Sequence, residues 1–399
     1  MDLLPVNRSE TFVLQVCERS FLSMWCYNNP LHKKGKELCD LLVVCDPHVI
    51  IISVKESELN VEKDISVAHT RWKKKAIEVS IKQIFTAERR LKSKTYVTRK
   101  DGSRGIDLPD PSFRRIHRIA IAFGSLGEVP ISSHKSAKGY VHVMTDTSFS
   151  DVLTELDTIT DFVNYLVAKE EKKCAMIVTD GNESEILAWY LLHNRTFPKD
   201  MDCIFLDGTV WAETRERDDY KPKKEADRIS YAWDTLIESM NNPNLFTLGN
   251  KAVHVNEAEP ALRMMAKESR LSRRMLSEMI GDFWDQALKR GAGSRIIFSQ
   301  GGVIYVVTHF TPDKSAERKF AILENLCFVA RHVVGEGGVV VGIGFTPHGT
   351  QGGFTNVLSY FEFAEWTEEQ SRGASALQAK LGIFKAPMQK VDVDEYPHE

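Results

Sequence analysis

Nowhere do apolar side chains run for the roughly 18–20 positions that a membrane-spanning helix needs. The start, MDLLPVNRSETF, lacks the basic and apolar segments of a secretory signal. Cysteine is scarce: seven residues, at 17, 26, 39, 45, 174, 203 and 327, with no CxxC. Such an odd, scattered set argues against a disulfide framework and a zinc site, and reduced thiols of a cytoplasmic protein are expected. The twelve histidines show no HxxxH and no clustered metal spacing. Glu336-Gly337-Gly338 reads as a turn and not a phosphate loop, because no Gly-Lys-Ser/Thr follows. Internal repeats and low-complexity segments are also missing.

What is present describes an ordinary globular chain of 399 residues, 43% apolar and 27% charged, long enough for two or three domains. The net charge of −3 is unevenly spread. Between Val61 and Ala120 there are 16 Lys and Arg against 7 Asp and Glu, a local surplus of +9 that leaves −12 for the remainder. A polyanion could therefore dock on one basic face despite the near-neutral total.

Residues 7–24 have an apolar stripe at helical spacing, with Asn7 or Ser9 as cap. LLVV and VIII in 40–45 and 49–55 are continuous apolar runs around Asp46-Pro47-His48, as in a hairpin buried on both faces. A helix is expected over 66–92, with Trp72, Ala76, Val79, Gln83, Ala87 and Leu91 on one face. A polar loop at 95–113 leads to a strand at 116–123, then a linker at 124–138. The middle region reads as a strand at 140–144, a helix at 148–171, short strands at 176–178 and 204–206 around a helix at 183–193, an exposed charged stretch at 215–227, and helices at 228–240 and 258–290. From 291 the order is ββαββα, a compact α+β layer. The fold class is α/β with a mixed sheet, divided into 1–125, 138–285 and 291–386. The acidic tail VDVDEYPHE is expected to fray.

The chemistry concentrates in 35–58. Asp40 opens the first strand of the hairpin, and Ser53-Val54-Lys55 closes the second. A carboxylate and an amine side by side at a sheet edge suit a hard divalent ion and phosphodiester cleavage. Ser53 and Lys55 share a strand face, and Glu56 falls on the other. Lys73, Lys74, Lys75, Lys82, Arg89 and Arg90 populate the polar faces of the following helix and fit phosphate contacts.

This helix–strand–hairpin–strand–helix pattern over 7–123 resembles the PD-(D/E)XK, or restriction-endonuclease-like, nuclease superfamily. The resemblance implies a metal-dependent nuclease with Mg²⁺ or Mn²⁺, acting on nucleic acid with DNA favoured, in the cytoplasm of a prokaryote. It implies an N-terminal αβββ core in which Asp40 is the first motif acid, Lys55 the motif lysine, Glu10 the acid of the first helix, and Gln83 the glutamine of RecB-like members. Asp40 and Glu10 are the expected metal ligands. The chain departs from the pattern at Ser53, where the motif has Asp or Glu. Glu10 or Glu56 supplies the missing carboxylate, or Ser53 holds the metal through water, or the site is dead. The setting implied is restriction or mobile-element defence, with a second copy or a defence-system protein as further partner. Two rival readings are a decayed nucleic-acid-binding module and an interaction subunit of a defence complex.

Other features have plainer readings. Arg263, Lys267, Arg270 and Arg274 share a helix face and are expected to form a salt-bridged surface. Asp157 and Asp161 read as a polar helix face. Trp189, Tyr190 and Trp284 read as core, and Gly349–Gly353 as a loop without assigned chemistry.

Overall fold

Burial of β-branched runs sets the architecture. The protein's structure is a computed structural model, and it describes all residues except 1–6, 60–63, 126–132, 179, 181, 242–246, 249–250, 253–254, 292, 349–352, 386–394 and 397–399. The linker expected at 124–138, the Gly349–Gly353 loop and the acidic tail thus lie wholly or partly outside the described residues. Two compact units make up the chain, Met1–Lys221 and Pro222–Glu399. The boundaries expected at 125–138 and 285–291 fall inside these units.

The first unit opens with α1 (Arg8–Phe21), which the Asn7 side chain caps by accepting from the Glu10 N–H. Then come β1 (Cys26–Asn28), β2 (Leu41–Cys45) and β3 (His48–Glu56), with a cis Asp46-Pro47 peptide in the hairpin. Next are α2 (Ile65–Lys73), a π-helical turn (Lys74–Glu78) and α3 (Val79–Leu91). A short hairpin, β4 (Tyr96–Thr98) and β5 (Arg104–Asp107), precedes β6 (Arg115–Phe123), β7 (His134–Ser136) and β8 (Gly139–Thr145). The main sheet runs β1-β2-β3-β6-β8-β7. β3, β6 and β8 are parallel, and the other pairings are antiparallel. Leu41–Cys45 and Val49–Ile52 are almost wholly buried, as continuous apolar runs require.

The helix expected over 148–171 is two helices, α4 (Asp146–Glu155) and α5 (Ile159–Glu171). Thr158 divides them, its hydroxyl accepting from the Asp161 N–H at 3.1 Å and starting a new helix. Beyond lie β9 (Ala175–Val178), α6 (Glu183–Leu192), β10 (Cys203–Leu206), α7 (Val210–Arg215) and α8 (Tyr220–Ala226), with β9 and β10 parallel. The stretch 215–227 is not simply exposed: Lys223 and Asp227 are buried and ion-paired at 2.8 Å.

The second unit contains α9 (Tyr231–Met240), β11 (Thr247–Leu248), β12 (Lys251–Ala252), α10 (Val255–Ala266) and α11 (Arg270–Arg290). It ends in β13 (Gly293–Phe298), β14 (Val303–His309), α12 (Ala316–Val334), β15 (Val339–His348), β16 (Gly353–Glu362) and α13 (Glu368–Leu381). Its four-stranded sheet runs β13-β14-β15-β16, in the expected ββαββα order. Ser269 caps α11 and breaks the helix expected at 258–290. Arg270 and Arg274 of the expected face, and Arg273 beside them, are not at the surface. All three are buried: Arg270 Nη1 lies 2.9 Å from Asp234, Arg273 also pairs with Asp234, and Arg274 pairs with Asp227. Arg263 pairs one turn back with Glu259.

Candidate active site

The antiparallel register pairs Leu41 with Ile52, which sets Asp40 opposite Ser53 where the ladder ends. Asp40 is 8% exposed. Its Oδ2 accepts the Val54 N–H at 2.6 Å and the Ser53 hydroxyl at 3.1 Å. The Asp40 side chain thus takes a backbone donor that no longer has a strand partner. Lys55 Nζ lies 3.8 Å from the same oxygen, within ion-pair range but too far for a hydrogen bond.

Ser53 Oγ is also 3.1 Å from Gln83 Oε1. One hydroxyl proton cannot serve two acceptors. Donation to Asp40, with the Gln83 amide turned to present its NH₂, satisfies all three groups. Gln83 is exposed, not on the apolar face expected for it. The π turn is the reason. A wider turn at Lys74–Glu78 shifts the buried row from 76, 79, 83 to Ala76, Ser80 and Ile84, with Ala87 and Leu91 following. Val79 and Gln83 rotate outward, and Gln83 reaches back to Ser53.

The residue that the sequence pattern missed is Glu37. Its pKa is raised, first by partial desolvation and then by the neighbouring Asp40 carboxylate; an Asn29 hydrogen bond works the other way, and Asp40 hydrogen bonding and Glu10 add to the rise. Glu37 has an exposed side chain overall, so only its carboxyl end is shielded. Glu10 stands one step further out. It accepts from Asn7 Nδ2 at 2.6 Å and from Asn29 Nδ2 at 3.3 Å. The acids thus follow one another as Glu10, Glu37 and Asp40, with Asn29 bonded to the first two. Glu56 faces the other side of the sheet, where the Ser9 hydroxyl donates to it.

Among the described residues no group of three or more His, Cys, Asp or Glu side chains is disposed to hold a metal ion. Mg²⁺ requires fewer: one or two carboxylates, with water filling the other positions. The mutual repulsion of Glu37 and Asp40 is what a divalent cation would relieve, so this donor pair fits a hard ion. Lys74, Lys75, Lys82 and Arg89 are exposed, while Lys73 and Arg90 are half-buried. Arg90 is seven residues from Gln83, on the same side of α3, and donates to the Glu37 carbonyl at 3.2 Å.

No known protein family, curated protein or solved structure matches the chain.

The structure also gathers histidines that sequence spacing left apart. His48 Nδ1 lies 3.1 Å from His117 Nε2, and His142 Nε2 lies 2.9 Å from Glu170 Oε1. That same oxygen is 4.0 Å from His117 Nδ1. Desolvation lowers His142 to about 4 against the pull of Glu170. Desolvation works to raise Glu170, but the hydrogen bond from His142 and the nearby His117 imidazole outweigh it and bring it to about 2. Near neutrality His142 is uncharged and donates to an ionised Glu170, and once His142 takes a proton near pH 4 its charge adds to that bond. The strands β3, β6 and β8 and helix α5 bring these residues together, a long-range pairing with no local sequence signal. Asp161, expected on a polar helix face, is instead buried and paired with Arg195.

Proposed function

We propose that the first unit is a metal-dependent nuclease of the restriction-endonuclease-like kind, hydrolysing phosphodiester bonds in nucleic acid, with DNA favoured. The observation that carries this reading is the convergence of Asp40, Glu37 and Lys55 at the open end of one buried hairpin. Asp40 and Glu37 would hold Mg²⁺ or Mn²⁺, with Glu10 behind them. The bound ion would supply charge neutralisation and lower the pKa of water. Lys55 holds an ammonium where charge develops on the phosphate oxygens. Ser53 and Gln83 fix the orientation of Asp40. In the reaction a water oxygen bonds to phosphorus, the ester P–O bond breaks, and the leaving oxygen takes a proton.

Supercoiled plasmid, linear duplex, single-stranded DNA and RNA, each with Mg²⁺, Mn²⁺ or EDTA, test the reading. Wild-type cutting should vanish in EDTA and fall at least a hundredfold in Lys55→Ala and Asp40→Ala, the order of loss for a removed electrostatic stabiliser. Unchanged cutting by both folded variants would sink the assignment. Ser53 favours one rival, a site that binds without cutting. That rival predicts salt-sensitive retention of nucleic acid and no cleavage with either metal.

A further inference from the structure

The segment that carries Glu37 also carries His32 and Lys33, and it is tied down on two sides. The Leu31 N–H donates to the Thr98 carbonyl on β4 at 2.8 Å. Arg90 Nη1, from α3, donates to the Glu37 carbonyl at 3.2 Å. Lys94, just beyond α3, donates from Nζ to Thr98 Oγ1 at 3.0 Å. These ties gather three cations around one imidazole. His32 is held below its ordinary pKa, first by desolvation and then by Arg90, Lys94 and Lys33. Its Nδ1 is buried and has no hydrogen-bond partner. Among the described residues, none of the three cations is paired with a carboxylate. Gathered like charges without a counter-ion repel one another and favour capture of an anion.

We propose that His32, Lys33, Arg90 and Lys94 form a phosphate-binding subsite, which holds a backbone phosphate of a nucleic-acid strand beside the one cleaved at Asp40 and Lys55. Its role in cleavage rests on the nuclease reading, but its existence does not. Arg90 bridges the two places, with its guanidinium on Glu37 and Lys94 one turn further on. Arg90 offers a planar fork and the lysines point charges, while the neutral His32 can turn a ring N–H to a phosphate oxygen. The site reads backbone and not base, so it serves any sequence.

The test is fluorescence anisotropy of labelled single- and double-stranded oligonucleotides in EDTA over a range of NaCl concentrations. Wild type is compared with Lys33→Gln/Lys94→Gln, which keeps much of each stem, and with Lys289→Gln/Arg290→Gln, an equal charge change in the second unit. The slope of log K against log salt should shrink by about 1.4 on single strands or about 1.8 on duplex in the first variant, two contacts' worth. The control slope should stay unchanged. An unchanged slope in the first variant, an equal loss in the control, or no binding at low salt would each overturn the subsite. A further arm replaces chloride with inorganic phosphate at equal ionic strength. Competition lost in the first variant, with strand affinity intact, would mean a free-phosphate site and overturn the strand assignment. Cleavage is scored separately with Mg²⁺. Binding with the expected slope change but no cutting keeps the subsite and removes the nuclease reading, and cutting with an unaffected slope does the reverse.

Discussion

Ser53→Asp restores the acid that the nuclease motif has at this position, and its outcome can be worked from the site. The serine hydroxyl lies 3.1 Å from Asp40 Oδ2, inside a buried hairpin. An aspartate there exchanges a hydrogen bond to a carboxylate, worth about 1.5–3 kcal/mol, for a second carboxylate at similar range. At about 4 Å and an effective dielectric constant near 20, the repulsion is about 4 kcal/mol. Lys55, 3.8 Å away, offsets part of it, and so does retention of one proton by the pair. The expected net loss is about 3 kcal/mol in EDTA at pH 7. For a unit of about two hundred residues that lowers Tm by about 6–12 °C. The loss should shrink as pH falls and one acid keeps its proton. Mg²⁺ should reverse it: saturation at about a hundred times Kd contributes about 2.7 kcal/mol. Calorimetry of wild type and variant, each with EDTA and with Mg²⁺, reads all of this. If the variant loses stability and Mg²⁺ restores none beyond its effect on wild type, the pair is no metal site. If the variant loses nothing, Asp40 and Ser53 do not meet as described.

Acid titration gives another check. His142 is lowered to about 4, so the unfolded chain binds the extra proton first. Stability is full above about pH 6.5 and should fall by about 3 kcal/mol as pH drops to about 4. The depressed Glu170 extends the loss between about pH 4.5 and 2. His142→Gln should flatten the upper part of this profile, and an unchanged slope in urea unfolding against pH would contradict the buried neutral imidazole. In the second unit, Asp234→Ala takes away the carboxylate that two buried guanidiniums, Arg270 and Arg273, share. A loss of about 3–5 kcal/mol is expected, read as a lower urea midpoint, and a change below about 1 kcal/mol would mean that those guanidiniums reach water.

The parts of the fold that were legible in the sequence are those written as local pattern. The hairpin of β2 and β3 announced itself through continuous apolar runs, and the ββαββα order of the second unit through alternating periodicities. Asp40, Ser53, Lys55 and the outward Glu56 followed from counting by twos. What escaped has no local period. Glu37 lies in an irregular segment between a short 3₁₀ turn at Lys33–Gly35 and β2. The β4–β5 hairpin is only a few residues long, carries a register irregularity, and lies within a stretch, 95–113, whose polar, Gly- and Pro-containing sequence has the pattern of a loop. The histidines meet only because β3, β6 and β8 lie side by side. Thr158 was readable, since a threonine three residues before an aspartate is a helix start, but the apolar stripe on both sides concealed it. The buried arginines of α11 mislead any reader of charge alone. Arginine looks like surface until the aspartates of distant segments are found beside it.

The π turn between α2 and α3 has an evolutionary consequence. A π turn is an α-helix carrying one extra residue. Removing a single position within Lys74–Glu78 would restore regular pitch and leave everything after it facing much as before. Ser80 and Ile84 would move up to positions 79 and 83 of the regular row and stay in the core, and the glutamine would keep its place beside Ser53. Any relative that lacks the extra residue would align with this chain only through a gap inside a helix, the place where sequence comparison least readily opens one. In such a relative, the glutamine that reaches the serine would have to sit one position earlier in the count.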